Sequence, residues 1–167
     1  METVGLVGVG KIGLPIAENL IKSGYRVVGY RRSSLAAFEK IGGIAAGSPA
    51  EIGAQADVVF SCLPSSQALE DVVQGPNGLV TSARAGQIIV ELGSHPVPDK
   101  QRHVAPLAAK GASFLDGEVS GTPGMVLARR AVIYLAGERR PVPRPSVSSA
   151  DLPTPVSISG RSAPPAA

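Results

Sequence analysis

Val4-Gly5-Leu6-Val7-Gly8-Val9-Gly10-Lys11-Ile12-Gly13-Leu14-Pro15-Ile16-Ala17-Glu18-Asn19-Leu20 decides the fold. An apolar run over residues 4–9 reads as a buried strand. Residues 11–22 carry Ile12, Ile16, Leu20 and Ile21 at helical spacing, and Gly24 stops the helix. Between them lies Gly8-Val9-Gly10-Lys11-Ile12-Gly13, a G-x-G-x-x-G turn leading from strand to helix. In that context the pattern points to a dinucleotide site. Gly8 allows a tight turn off the strand. Gly10 presents no side chain to a pyrophosphate, and Gly13 allows close packing of helix on strand. The helix start adds free N–H groups and a partial positive charge.

The same alternation continues along the chain. Strands are expected at 26–30, 57–63, 88–92, 113–116 and 131–136. Helices are expected at 34–41, 66–73 and 99–110. A further short helix opens at the capping box Ser48-Pro49-Ala50-Glu51. The run at 57–63 is continuously apolar, as suits a strand covered on both faces. Strands alternating with helices imply right-handed crossovers in an α/β, Rossmann-type, doubly wound and mostly parallel sheet. Residues 1–138 are expected to form this dinucleotide-binding domain. Residues 139–167 hold seven of the 15 prolines and six serines, without apolar periodicity, and read as a disordered tail.

The end of the second strand selects the cofactor. NAD-binding versions of this turn place an acid there for the ribose 2′-hydroxyl. Here the chain reads Tyr30-Arg31-Arg32-Ser33. Two guanidiniums can pair with a 2′-phosphate, and each charge-assisted hydrogen bond is worth roughly 1.5–3 kcal/mol. NADP is therefore expected over NAD, with NAD remaining usable.

Charge and cysteine content narrow the other classes. The chain carries 16 Lys+Arg and 13 Asp+Glu, and its whole excess of +3 lies in residues 139–167. Four arginines scattered among prolines form no ordered basic face, so no nucleic-acid partner is expected. Cys62 is the sole cysteine and reads as a buried strand thiol, with no disulfide and no zinc site. The first residues lack a basic leader region, and no apolar run approaches the ~20 residues of a membrane span. A cytoplasmic protein is expected. His95 and His103 show no spaced partner acid or second ligand, and His103 is assigned to a helix surface.

Several segments together resemble the β-hydroxyacid dehydrogenase family. They are residues 5–20, Ser48-Pro49-Ala50-Glu51, Asp57-Val58-Val59, Leu63-Pro64 and Phe114-Leu115-Asp116-Gly117-Glu118-Val119-Ser120-Gly121. The likeness runs from residue 4 to about residue 138. It covers 3-hydroxyisobutyrate dehydrogenase, tartronate semialdehyde reductase and, more distantly, 6-phosphogluconate dehydrogenase. The resemblance implies that Leu63 and Pro64 line the adenosine side and that Ser94 lies near the nicotinamide. It implies that Ser120, Gly121 and Thr122 hold a small-molecule carboxylate. Gly93 stands where the family usually has serine, and Thr122-Pro123 replaces a glycine-rich pair, so the substrate is left open.

The family's catalytic lysine lies on a long helix after this domain, within an all-helical domain that closes the cleft and forms the dimer. Lys11, Lys22, Lys40, Lys100 and Lys110 do not match that lysine, and prolines after residue 138 preclude such a helix. The expectation is thus a truncated chain with no catalytic residue of its own, from an oxidoreductase moving hydride between NADP(H) and a small β-hydroxyacid or semialdehyde. The alternatives are an inactive nucleotide-binding fragment, favoured for turnover by the chain alone, and part of an imine or carbonyl reductase relative. The surface left by the missing domain is expected to be apolar and to favour self-association.

Overall fold

The computed structural model describes residues 1–137 and, as backbone, the two-residue strand Ser157–Ile158. Eight strands form one sheet in the order β3-β2-β1-β4-β5-β6-β7-β8. They are β1 (Thr3–Val7), β2 (Arg26–Tyr30), β3 (Ile44–Ala45), β4 (Val58–Ser61), β5 (Ile88–Glu91), β6 (Ser113–Ser120), β7 (Val132–Ala136) and β8 (Ser157–Ile158). β1 to β6 pair in parallel. β7 runs antiparallel to β6, and β8 parallel to β7. The rest of the expected tail at 139–167, and its boundary at residue 138, lie outside the described residues.

Side-chain alternation along β1 divides the core. Val4 and Leu6 pack with Ile16 and Leu20 of α1 (Gly13–Lys22), Phe38 of α2 (Ala36–Lys40) and Val126 of α8 (Pro123–Leu127). On the other face, Val7, Val59 and Ile89 meet Ile52 of α3 (Pro49–Gln55), Leu69 of α4 (Ser66–Gln74), Leu79 of α5 (Leu79–Ser82) and Leu107 of α7 (Val104–Ala108). This is the doubly wound arrangement expected of continuously apolar parallel strands. Gly5 belongs to it, because a Cβ there would lie 2.4 Å from Ile52 Cγ2.

The Ser48 half of the capping box at α3 forms as read, while the Glu51 carboxylate reaches one residue further back, to Gly47. Ser48 Oγ accepts from Glu51 N at 3.1 Å, and Glu51 Oε2 accepts from Gly47 N at 2.7 Å. Other elements depart from expectation. The helix expected over 99–110 is two short ones, α6 (Val97–Gln101) and α7. Pro106 has no N–H to bond back to Arg102, and the chain tightens at His103, whose N–H donates to the Lys100 carbonyl at 3.1 Å. β6 continues to Ser120, four residues beyond the expected 113–116, because β7 pairs along that extension. The short elements β3, α5 and α8 carry too little periodicity to be read.

Candidate functional site

The strand order reverses on either side of β1, with β2 to one side and β4 to the other. Ligands in open α/β sheets lie beyond the carboxyl ends of strands at this switch point. A cleft of about 950 Å³ opens there. Its walls come from the chain leaving the strands: Val7 at the end of β1, Tyr30 at the end of β2, Cys62 after β4 and Leu92 after β5.

The three motif glycines are required for different reasons. Gly8 has φ +90, and a Cβ there would lie 2.2 Å from the Cys62 carbonyl oxygen. Gly13 would bring its Cβ to 2.3 Å from the Gly8 carbonyl oxygen. Both positions are glycine for the sake of the fold. At Gly10 a Cβ would meet nothing within 4 Å, and φ is not positive. The protein itself gives no reason for glycine at that position, which lines the cleft. The N–H groups of Lys11 and Ile12 have no acceptor among the described residues, as expected where a helix start awaits an anion.

The sequence-derived residues divide between cleft and core. Gly8, Gly10, Lys11, Ile12, Gly13, Arg31, Arg32, Ser33, Leu63, Pro64 and Ser94 all line the cleft. Val9 does not. Its side chain is buried in the core, and its carbonyl accepts from Arg31 Nη1 at 3.3 Å. Gly121 lines the cleft, but Ser120 and Thr122 flank it without doing so. The Thr122 hydroxyl instead caps α8, accepting from Met125 N at 3.3 Å. Cys62 is half-buried at the cleft wall rather than within a strand. Burial, and then the Glu91 carboxylate, push its thiol pKa upward, which leaves it protonated and poorly nucleophilic.

Two features beside the arginine pair escaped the sequence reading. Asp71 on α4 reaches the cleft and lies 3.9 Å from Arg32 Nη1, so an acid does face the arginine pair, from another element. Gln67 Nε2 donates to Asp71 Oδ1 at 2.9 Å and fixes that carboxylate. An i,i+4 Gln–Asp pair is the only local trace of it in the sequence.

The histidine assignments need correction. His103 is buried, 1% exposed, with Nδ1 3.2 Å from Gln74 Nε2, Nε2 3.8 Å from Glu70, and its ring 6.1 Å from that of Phe114. The break between α6 and α7 turns its ring inward. His95 does have a partner acid: its Nε2 lies 3.3 Å from Glu91 Oε1. Glu91 is fully buried at the end of β5. It accepts from the Ser61 hydroxyl, and its Oε1 accepts from Gly93 N at 2.6 Å. Burial, the largest influence, raises its pKa to about 7 against the lowering effect of those two hydrogen bonds. Glu91 is an acid in a strand that otherwise reads as Ile-Ile-Val, and this was the signal available in the sequence. Buried Lys100 pairs with Asp116 beside a second hollow of about 360 Å³, not in the cleft.

Comparison with known proteins bears on this geometry. Residues 3–145 match the family described as the NAD binding domain of 6-phosphogluconate dehydrogenase. The chain belongs to that family. Mitochondrial 3-hydroxyisobutyrate dehydrogenase of Mus musculus is 32% identical over 137 residues, which are 80% of this chain and 41% of the mouse protein. The cytokine-like nuclear factor N-PAC of Mus musculus is 29% identical over 138 residues, 83% of this chain and 24% of that protein. A solved structure described as Psf3 in complex with NADP+ and 2-OPP superposes with a TM-score of 0.77 at 27% identity, covering 81% of this chain and 49% of that one. The chain thus spans half or less of the length of these relatives. Among its described residues, no helix is long and apolar enough to cross a membrane.

Proposed function

We propose that the cleft binds a nicotinamide dinucleotide, NADP(H) ahead of NAD(H). In this reading the chain is the cofactor-binding part of a cytoplasmic oxidoreductase acting on a small β-hydroxyacid or semialdehyde. Gly10 carries the proposal. It is the motif glycine that neither backbone strain nor packing requires, and the space it leaves lies beside free N–H groups at a helix start. A pyrophosphate needs that combination. The family and the NADP+-containing structural relative support the same reading.

The bound dinucleotide would supply hydride chemistry at its nicotinamide. The chain's own residues position it. Gly8 to Gly13 hold the pyrophosphate. Arg31 and Arg32 meet the 2′-phosphate, with Arg31 steadied on the Val9 carbonyl. Leu63 and Pro64 form the apolar wall for the adenosine, and Ser94 stands at the nicotinamide end. Ser120, Gly121 and Thr122 are proposed to receive the substrate carboxylate through hydroxyl and backbone N–H groups; the Thr122 hydroxyl accepts from Met125 N and keeps its own proton to donate. Among the described lysines only Lys11 lines the cleft, and it belongs to the phosphate loop. We therefore propose that this chain alone captures cofactor without turning substrate over. Exposed Met125, Leu127 and Tyr134 support self-association of the isolated chain.

Calorimetric titration of the full chain with NADPH and NADH tests the reading. Saturable binding of both, tighter for NADPH, is expected. Absence of binding by either cofactor would remove the proposal.

A further inference from the structure

We propose that Glu91 is a positioning residue for the nicotinamide end of the cleft. With Gly93 and His95 it forms a latch that fixes the Gly93–Ser94 turn while the carboxylate is charged and loosens that turn when the carboxylate takes a proton. This rests on the reading of the cleft as a nicotinamide dinucleotide site.

Three residues at i, i+2 and i+4 interlock. Glu91 Oε1 accepts from the Gly93 N–H at 2.6 Å and lies 3.3 Å from His95 Nε2. Gly93 is indispensable to the arrangement. A Cβ there would sit 2.4 Å from His95 Nε2 and 2.5 Å from Glu91 Oε1. In this arrangement a side chain at 93 would displace the Glu91 carboxylate or the His95 ring from their contact. Leu92, Gly93 and Ser94 are the cleft residues that the turn supplies. Anything that shifts the Gly93 amide therefore shifts the wall of the site.

The latch has two hydrogen-bonding states. A charged Glu91 accepts from Gly93 N–H in a charge-assisted bond, the stronger kind. In the structure His95 Nε2 has no hydrogen-bond partner, although its side chain is only 4% exposed. A protonated Glu91 weakens the bond to Gly93 and can donate to that vacant Nε2, with the imidazole proton on Nδ1. The surroundings set the balance. Ser61 from β4 donates to the carboxylate, and the Cys62 thiol follows it. Asp116 lies opposite Glu91 in the β5–β6 register, Lys100 of α6 spends its charge on Asp116, and Asp99 lies beyond His95. No cation pairs directly with Glu91 among these groups. Burial raises the Glu91 pKa to about 7 and lowers that of His95, so both favour their neutral forms. The change of state falls near neutral pH.

Amide NMR of the full chain without cofactor, from about pH 5.5 to about pH 8.5, reads the latch directly and brackets an acid that titrates near neutrality. The Gly93 amide proton of the wild type should move upfield as pH falls through neutrality. It should not titrate in Glu91→Gln. In His95→Leu the midpoint should fall, because the protonated acid loses its acceptor. NADPH titrations over the same range supply the functional readout. Wild-type affinity should drop about five- to tenfold more than that of Glu91→Gln on acidification, the equivalent of one charge-assisted bond weakened. The titration of the ligand's own phosphate is common to both proteins and cancels. A Gly93 amide that is static, or that titrates alike in wild type and Glu91→Gln, would overturn the latch. So would NADPH affinities in a constant ratio at every pH. If no variant binds NADPH, the cofactor reading fails, while the Gly93 titration still decides the latch.

Discussion

The glycine-turn end of the cleft is made of backbone, and the end at Gly93 and Ser94 is backed by buried side chains. At the first, Gly8, Gly10 and Gly13 shape a turn followed by Lys11 and Ile12 N–H groups without an acceptor among the described residues. At the second, Glu91, His95 and Ser61 hold one another behind the surface that the ligand would touch. A site built of backbone depends on what is absent from the sequence, and its tolerance is steric. A site built of buried ionisable groups depends on protonation, and its tolerance is electrostatic. The two ends should therefore fail in different ways.

The largest expected effect is on turnover. Neither end supplies a cleft lysine suited to proton transfer, since Lys11 belongs to the glycine turn and Lys100 is paired with Asp116 away from the cleft. A general acid or base contributes ~10²–10⁴ in rate. The chain alone should show no turnover of 3-hydroxyisobutyrate, tartronate semialdehyde or succinic semialdehyde above the blank, even with NADP(H) bound. A turnover number within the ordinary ~1–10³ s⁻¹ range would show that the nicotinamide end is chemically complete.

Glycine substitutions sharpen the contrast within the glycine-turn end. Gly10→Val should leave the melting temperature near that of the wild type, because its side chain enters open space. It should weaken NADPH binding about a hundredfold, or ~2.8 kcal/mol. Gly13→Val should do the reverse and destabilise the fold by ~1–3 kcal/mol or more, because the Gly8 carbonyl oxygen stands in its path. Thermal melts and calorimetry on both variants separate the two. Equal losses of stability would show that Gly10 serves the fold after all.

The same difference governs what was legible in the sequence. The glycine turn could be read because its requirements are local: a strand, a turn and a helix start within residues 3–22. Arg31 and Arg32 followed from their place at the end of the second strand, and Leu63, Pro64 and Ser94 from the family resemblance; all five line the cleft because strand ends converge on the switch point. The carboxylate of Asp71 beside Arg32 could not be read, because it arrives from α4 across the cleft. Nor could the burial of His103, which depends on Pro106 splitting a helix that its apolar spacing made continuous. Glu91 was passed over because one acid in an apolar strand acquires meaning only when Ser61, Gly93 and His95 are seen around it.

A smaller effect is expected at the arginine pair. Arg32 is exposed and Asp71 half-exposed, so their 3.9 Å contact contributes little to stability. In the proposed reading it sets the charge seen by a 2′-phosphate. Arg32→Ala should weaken NADPH binding about tenfold with little change for NADH, and Asp71→Asn should strengthen NADPH binding by about two- to threefold. Cofactor preference measured by competitive titration checks both. If Asp71→Asn alters NADPH and NADH equally, the carboxylate does not face the 2′ position.

The smallest effect separates the two buried titrating groups by the sign of their pH dependence. His103 packs against Phe114 and Gln74, away from the cleft, and burial lowers its pKa from the usual 6.5, with Glu70 opposing that shift. Its unfolded form therefore binds a proton first as pH falls. Stability should decline as pH drops below about 6.5, by at most ~1.4 kcal/mol per pH unit. Glu91 has a raised pKa, so the native state holds the extra proton. Its contribution is fully present below pH 4.5 and is lost as pH rises through about 7. Urea melts at about pH 5, pH 6 and pH 8 on His103→Gln and Glu91→Gln resolve the two. His103→Gln should flatten the acid side of the stability profile and leave the alkaline side unchanged, whereas Glu91→Gln should flatten the fall toward alkaline pH. If His103→Gln leaves the acid side as steep as in the wild type, the buried imidazole is already satisfied in its charged form by Glu70. The 3.8 Å contact between them would then be an ion pair rather than a neutral packing contact.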